Sequence, residues 1–185
     1  MSVITDNFYK EYRLLYSQQE IEERIKEAAV WLNDRYGKKE IVIVSIMKGA
    51  LFFTVDLMRK LTMPCRLETF VCRSYHGKER KELVVEGADR LDLRGRIVVL
   101  VDDIFDSGHT FRKVAEIIEE KKPAEFCSVL MLGRKASLTG DKIPTRVLFE
   151  LDSDKFVAGY GLDHNGFFRN ATALYESMDP KQDLS

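Results

Sequence analysis

Hydrophobic and polar positions alternate in blocks whose period identifies the elements. Ile21, Ile25, Ala28, Ala29 and Leu32 fall on one helical stripe. Ser17 and Glu20 stand before that stripe at capping-box spacing, and Gly37 can close the helix. Next, residues 41–47 (IVIVSIM) are rich in β-branched side chains without polar alternation, the pattern of a strand covered on both faces. Lys48-Gly49 forms a short loop, residues 50–61 return to helical spacing, and Pro64 stops that element. Strands are predicted at 66–72, 96–101 and 126–132, with shorter ones at 147–151 and 156–159. A loop at Asp106–Thr110 turns into a helix whose apolar stripe includes Val114, Ile117 and Ile118. The stretch 73–82 (RSYHGKERKE) is polar and reads as an exposed, mobile loop.

Long buried strands alternating with helices predict an α/β fold: a doubly wound, mainly parallel sheet with helices on both faces. Ligands of such sheets sit at the carboxyl ends of strands. The loops after Met47, Val101 and Leu132 are therefore the places to look for chemistry. The chain has 185 residues, enough for one such domain and a small added subdomain. Its formal charge is −1, which argues against a global field that would collect nucleic acid or an anionic membrane. No apolar run approaches the ~20 residues that span a bilayer. The opening MSVITDNFYKEYRLLYS lacks the pattern of a secretory signal. Cys65, Cys72 and Cys127 lack CxxC spacing, so free thiols and a cytoplasmic location are expected.

Residues 98–110 (VVLVDDIFDSGHT) carry the most information. A buried strand delivers Asp102 and Asp103, Asp106 follows, and Ser107, Gly108, His109 and Thr110 open a helix. Helix N-terminal N–H groups lack partners and favour an anion. Gly108 lets the backbone approach a phosphate, and Ser107 and Thr110 can add hydroxyl donors. Carboxylates do not bind phosphate, so Asp102 and Asp103 suit the vicinal hydroxyls of a sugar. The alternative is a plain helix cap at Asp106 or Ser107 with the two acids in a turn. The conjunction of these features at a buried strand end favours a phosphorylated-sugar site. No GxxxxGK[ST] loop is present. Gly159-Tyr160-Gly161 begins like a dinucleotide fingerprint, but His164 stands where its third glycine should be. A phospho-acceptor receiver domain would not need the Ser-Gly-His-Thr turn.

This segment resembles the phosphoribosyl-pyrophosphate signature of the type I phosphoribosyltransferases. Met47-Lys48-Gly49, Ser74-Tyr75, and KFVAGYGLD (155–163) with the later FFR (167–169) narrow the resemblance to the hypoxanthine-guanine phosphoribosyltransferases. It runs in collinear order from about residue 17 to about 175.

The resemblance implies a single domain over 1–185. Its core covers about 36–150, a hood subdomain about 1–16 and 151–185, and a mobile lid about 73–86. It implies a pentosyltransferase of purine salvage. The 5-phosphoribosyl group passes from 5-phosphoribosyl 1-pyrophosphate to N9 of hypoxanthine or guanine, giving IMP or GMP and pyrophosphate. Asp106 would be the catalytic proton acceptor beside the purine N7. Asp102 and Asp103 would hold the ribose hydroxyls, and Asp106, Ser107, Gly108, His109 and Thr110 the 5′-phosphate, largely through backbone N–H groups. Lys48 and Gly49 would form the pyrophosphate loop, often with a cis peptide before the lysine, and Arg169 would pair with pyrophosphate. Lys135 would donate to the purine O6, although Arg134 is adjacent and a one-residue slip would exchange the two. Phe156 would stack on the base, and the backbones of Val157 and Asp163 would read its other edge. Ser74 and Tyr75 would belong to the lid. Mg2+ would lie at Asp163, with Asp102 and Asp103 reaching it directly or through ribose and water.

Three positions depart from the commonest family pattern or vary within it. Asp102 stands where many relatives carry Glu, Ser107 replaces the usual Thr, and Gly161 occupies an Ala-or-Gly position. A homodimer or homotetramer is expected. Two other readings compete. One is a regulator that keeps this fold and binds RNA or DNA, which should carry a concentrated basic face and could lose Asp106. The other is a xanthine-preferring relative.

Overall fold

The computed structural model describes residues 11–76, 81–138 and 143–178. Nine strands and three α-helices occur among them. They are β1 (Tyr12–Tyr16), α1 (Gln18–Tyr36), β2 (Ile41–Met47), α2 (Leu51–Met58), β3 (Cys65–His76), β4 (Lys81–Glu86), β5 (Ile97–Phe105), α3 (His109–Glu120), β6 (Glu125–Arg134), β7 (Thr145–Leu151), β8 (Val157–Ala158) and β9 (Leu174–Ser177).

Helix α1 begins and ends as its sequence dictates. Ser17 Oγ accepts from the Glu20 N–H, and the Glu20 carboxylate accepts from the Ser17 N–H at 2.8 Å. Gly37, at φ +59°, closes it by donating to Asn33 O. The whole predicted stripe is buried.

Six strands form one sheet in the order β4-β3-β2-β5-β6-β7, parallel throughout except for the antiparallel edge strand β4. Period-two alternation divides the core between its faces. Ile41, Ile43, Val99, Val101, Val129 and Met131 pack with the stripe of α1 and with Phe53 and Leu57 of α2. Val42, Val44, Ile46, Val98, Leu100 and Leu130 pack with Phe111, Val114 and Ile118 of α3. Helices therefore cover both faces, the doubly wound α/β architecture. A second sheet, β1-β9-β8, is antiparallel and joins Tyr12–Tyr16 to the C-terminal segment.

The sheet corrects two expectations. The polar stretch at 73–82 is not a loop throughout. β3 runs on to His76 and β4 starts at Lys81, with Ser74 opposite Leu83 and Tyr75 opposite Glu82. An edge strand needs no continuous apolar run, which is why the polar composition read as loop. Residues 77–80, and the side chains of Ser74 and Tyr75, lie outside the described part. β5 also continues past Val101 to Phe105, so Asp102 and Asp103 belong to the strand rather than following it.

Candidate active site

β2 and β5 are neighbours at the centre of the sheet, and the chain leaves β2 toward β3 on one side and β5 toward β6 on the other. This is the topological switch point, where the carboxyl ends of the strands open a crevice. Ser45 pairs with Val101, so the residues that follow each leave side by side. From β2 come Met47, Lys48 and Gly49. The Met47–Lys48 peptide is cis, Lys48 is exposed and Gly49 is buried. From β5 come Asp102 and Asp103. Gly49 packs so closely on Asp103 that any Cβ there would overlap the Asp103 carboxylate.

Each of these acids accepts a backbone hydrogen bond from the next residue: Asp102 from the Asp103 N–H and Asp103 from the Ile104 N–H, both at 3.0 Å. Asp102 is buried, and burial first, then the neighbouring Asp103 charge, pushes its carboxyl well above the usual carboxylate range. Burial also raises Asp103, while its hydrogen bonds and the Arg169 guanidinium pull it back. A polar group that brings hydroxyl donors to this pair relieves that penalty. Vicinal sugar hydroxyls are such a group.

The turn after β5 presents backbone. Gly108 is the N-cap of α3, with φ +75°. No side chain caps the helix, which removes the reading of Asp106 or Ser107 as a simple cap. Ser107 Oγ makes only a 3.4 Å contact with the His109 N–H. Thr110 lies in the first turn of α3, and His109 and Ser107 are exposed. Arg112, one turn on, donates to Ser107 O at 3.0 Å and lies over the Phe105 ring, 5.2 Å from its centroid. The loop is thus braced from behind, and the uncapped N–H groups and the helix dipole remain for an anion.

Asp106 is held elsewhere. Its carboxylate accepts from Nε of Arg134, whose Nη1 donates to Ser153 O and whose Nη2 donates to Lys155 O at 3.1 Å. The Arg134 side chain is 14% exposed. Lys135, expected to read the base, is 51% exposed, with Nζ 2.8 Å from Asp152 and 3.9 Å from Glu150. The basic side chain paired with Asp106 is therefore Arg134. β6 runs two residues beyond the predicted end, to Arg134, and Lys135 lies just outside it.

The C-terminal segment supplies the remaining groups. Phe156 precedes β8 and is partly buried beside Tyr12, Phe168 and Tyr175. Its ring meets His164 edge-to-face at 5.6 Å, and His164 Nδ1 is 2.9 Å from the Tyr12 hydroxyl. Val157 is buried in β8. Asp163 accepts from the Gly166 N–H at 2.8 Å and pairs with Arg169, which also donates to Gly161 O at 2.6 Å. Arg112 and the Tyr12–His164 pair were not singled out from the sequence, and Arg134 entered only as the neighbour of Lys135. None belongs to the motif segments that carry the chemistry, and each is found only through its partners.

A family model described as "Phosphoribosyl transferase domain" matches residues 12–165. The chain is 34% identical over 175 residues to the hypoxanthine-guanine phosphoribosyltransferase of Aquifex aeolicus, covering 92% of this chain and 97% of that one. It is 28% identical over 163 residues to the hypoxanthine-guanine-xanthine phosphoribosyltransferase of Tritrichomonas foetus, covering 88% and 89%. The crystal structure of a hypoxanthine phosphoribosyltransferase from Staphylococcus aureus superposes with a TM-score of 0.84 at 23% identity, over 98% of this chain and 100% of that one, a likeness of fold.

Proposed function

This chain belongs to the phosphoribosyl transferase domain family, and we propose that it transfers the 5-phosphoribosyl group of 5-phosphoribosyl 1-pyrophosphate to N9 of hypoxanthine or guanine, releasing pyrophosphate. The observation that carries this reading is the meeting of Gly49, Asp103 and the uncapped Gly108 turn at one switch point, with the Arg134–Asp106 pair beside them. A phosphate, a sugar diol and a base edge each find a matching surface there.

The backbone of Asp106–Thr110 binds the 5′-phosphate, and Asp102 and Asp103 accept from the ribose hydroxyls. Lys48, Gly49 and Arg169 receive pyrophosphate, the guanidinium as a fixed fork. Positive charge grows on the ribose as the bond from C1′ to pyrophosphate breaks and the bond from C1′ to N9 forms. Asp102 and Asp103 beneath the sugar, in their ionised form, favour that charge. Asp106 takes the proton released from the purine, from N7. O6 and N7 are adjacent on one edge of a 6-oxopurine. Arg134 and Asp106 are adjacent in the protein, a donor and an acceptor in the matching order. A 6-amino group would meet a guanidinium that cannot lose its proton, so adenine is rejected. Phe156 stacks on the base, the Val157 and Asp163 backbones contact its far edge, and Ser74 and Tyr75 on the β3–β4 hairpin form part of a lid. Xanthine is a further candidate base, as the Tritrichomonas foetus relative carries it in its name.

Asp163, with Asp102 and Asp103, would hold Mg2+. No cluster of three or more metal-ligating side chains occurs among the described residues. That donor set fits an ion bound by one or two carboxylates, substrate oxygens and water. The ion would neutralise charge on the departing pyrophosphate. We place the enzyme in the cytoplasm, where its three free cysteines persist as thiols. Its assembly is a homodimer or homotetramer, with exposed Leu51 and Phe52 beside the Lys48 loop as apolar contact surface.

The test is direct. The protein is incubated with 5-phosphoribosyl 1-pyrophosphate, Mg2+ and each purine in turn, and nucleotide is measured. Hypoxanthine or guanine should give product and adenine should not. No product with any 6-oxopurine overturns the reading.

A further inference from the structure

Gly161 touches the pyrophosphate loop from the side of the C-terminal segment. Its φ is +102°, and a Cβ there would overlap Gly49 O. The Gly161 N–H donates to Arg169 O at 2.9 Å, and Arg169 Nη1 returns to Gly161 O at 2.6 Å. Arg169 and the Gly49 loop are therefore referred to one backbone position. Gly49 in turn packs on Asp103, whose carboxyl feels the Arg169 charge. One short column joins Asp103, Gly49, Gly161 and Arg169.

The residue before Gly161 is anchored by its own side chain. Tyr160 is buried in the core and has φ +43°, unusual for an aromatic residue. Its N–H donates to Ala171 O at 3.0 Å, and its hydroxyl donates to Asp56 Oδ2 at 2.6 Å. Asp56 lies near the end of α2, the helix that leaves directly from the Lys48-Gly49 loop. The hydrogen bond thus ties the far end of α2 to the turn that presses on the loop at its near end. The other neighbour of Asp56, Arg59, lies 3.6 Å away in an exposed pair that adds little.

We propose that Tyr160 and Asp56 are positioning residues for the pyrophosphate half of the substrate: their hydrogen bond sets the spacing between the Lys48-Gly49 loop and Arg169. This rests on the reading of the site as a phosphoribosyltransferase. Neither residue is assigned a contact with the purine, so the effect is confined to one substrate.

Wild type, Tyr160→Phe, Asp56→Leu, Asp56→Asn and the Tyr160→Phe/Asp56→Leu double variant are compared. KM for 5-phosphoribosyl 1-pyrophosphate, KM for hypoxanthine, kcat and Tm are measured on each. Direct titration of the protein with 5-phosphoribosyl 1-pyrophosphate gives its Kd without turnover. Tyr160→Phe and Asp56→Leu should each raise KM and Kd for 5-phosphoribosyl 1-pyrophosphate about five- to tenfold, the size of one lost hydrogen bond. KM for hypoxanthine should stay within about twofold. The double variant should be no worse than either single one, because both remove the same bond. Asp56→Asn keeps an acceptor for the hydroxyl and should restore near-wild-type values. Unchanged affinity for 5-phosphoribosyl 1-pyrophosphate, or an equal rise in both KM values, overturns the proposal. A wild-type protein that makes no nucleotide overturns instead the function on which it rests.

Discussion

Arg134 and Asp106 form an ion pair, the guanidinium donating from Nε to the carboxylate while its two remaining nitrogens bind Ser153 O and Lys155 O. The fork is therefore fixed by the loop before Phe156 at the same time as it holds the third acid of the phosphate turn. Arg134→Met leaves Asp106 without its partner and removes the donor proposed for O6. It should lower kcat/KM for hypoxanthine about 10²-fold or more, since a site built around a polar group suffers most when that group is left unpaired. Arg134→Lys keeps the charge and loses the fork, so it should fall between Met and wild type. Lys135→Ala removes only an exposed pair with Asp152 and should leave KM for the base unchanged. Steady-state kinetics with hypoxanthine decides this, and the reverse ranking of Arg134 and Lys135 variants would refute the assignment.

Asp106→Asn tests the proton acceptor. The phosphate contacts proposed for this turn are backbone N–H groups, so the variant should keep its affinity for 5-phosphoribosyl 1-pyrophosphate, read by titration. An amide cannot take the purine proton, and kcat should fall about 10²- to 10⁴-fold. Unchanged turnover would remove Asp106 from the chemistry.

Burial and the Asp103 charge raise the Asp102 carboxyl in the folded chain, so Asp102 is expected to cost stability at neutral pH. The native state binds more protons than the unfolded one above the usual carboxylate value of about 3.9. Stability contributed by this group is complete below that value and is lost as pH rises through the folded pKa. Asp102→Asn should therefore raise Tm at pH 7, and the gain should shrink as the pH approaches about 4. Thermal melts at both pH values check it. A variant that melts lower than wild type at pH 7 would mean that the buried carboxylate is held by more than the contacts described.

The parts of this protein that were legible in its sequence are those governed by local period and local chemistry. The buried runs of β2, β5 and β6, the capping box of α1 and the Asp102–Thr110 turn are all of this kind. The edge hairpin β3–β4 was not legible, because an edge strand needs no continuous apolar run and its polar composition imitates a loop. β1 and β9 were missed for a related reason. They are short, and they exist by pairing the two ends of the described chain with each other. Which of Arg134 and Lys135 contacts Asp106 depends on where β6 ends, and strand ends are set by tertiary contacts such as those of Arg134 with Ser153 and Lys155. The Asp56–Tyr160 bond joins residues 104 positions apart and carries no local signature.

Gly49 makes the most demanding steric requirement in the site. A Cβ built there overlaps the Asp103 carboxylate, and Gly161 closes on the same loop from its carbonyl side, so neither neighbour leaves room for the other to retreat. Gly49→Ala must push the Asp103 side chain off the position from which it accepts the Ile104 N–H, or lift the Lys48 loop. Either movement separates the acids proposed to hold ribose from the Lys48-Gly49 loop proposed to receive pyrophosphate. KM for 5-phosphoribosyl 1-pyrophosphate should rise at least about tenfold, of the order expected when reacting groups are displaced by about 1 Å. Because the clash is with a carboxylate, Asp103→Ala in the Gly49→Ala background should relieve it. The double variant should then lose less than the sum of the two single changes, as residues in contact do. Kinetics on the two single variants and the double variant measure the coupling. Strict additivity would mean that Gly49 is required for some reason other than its approach to Asp103.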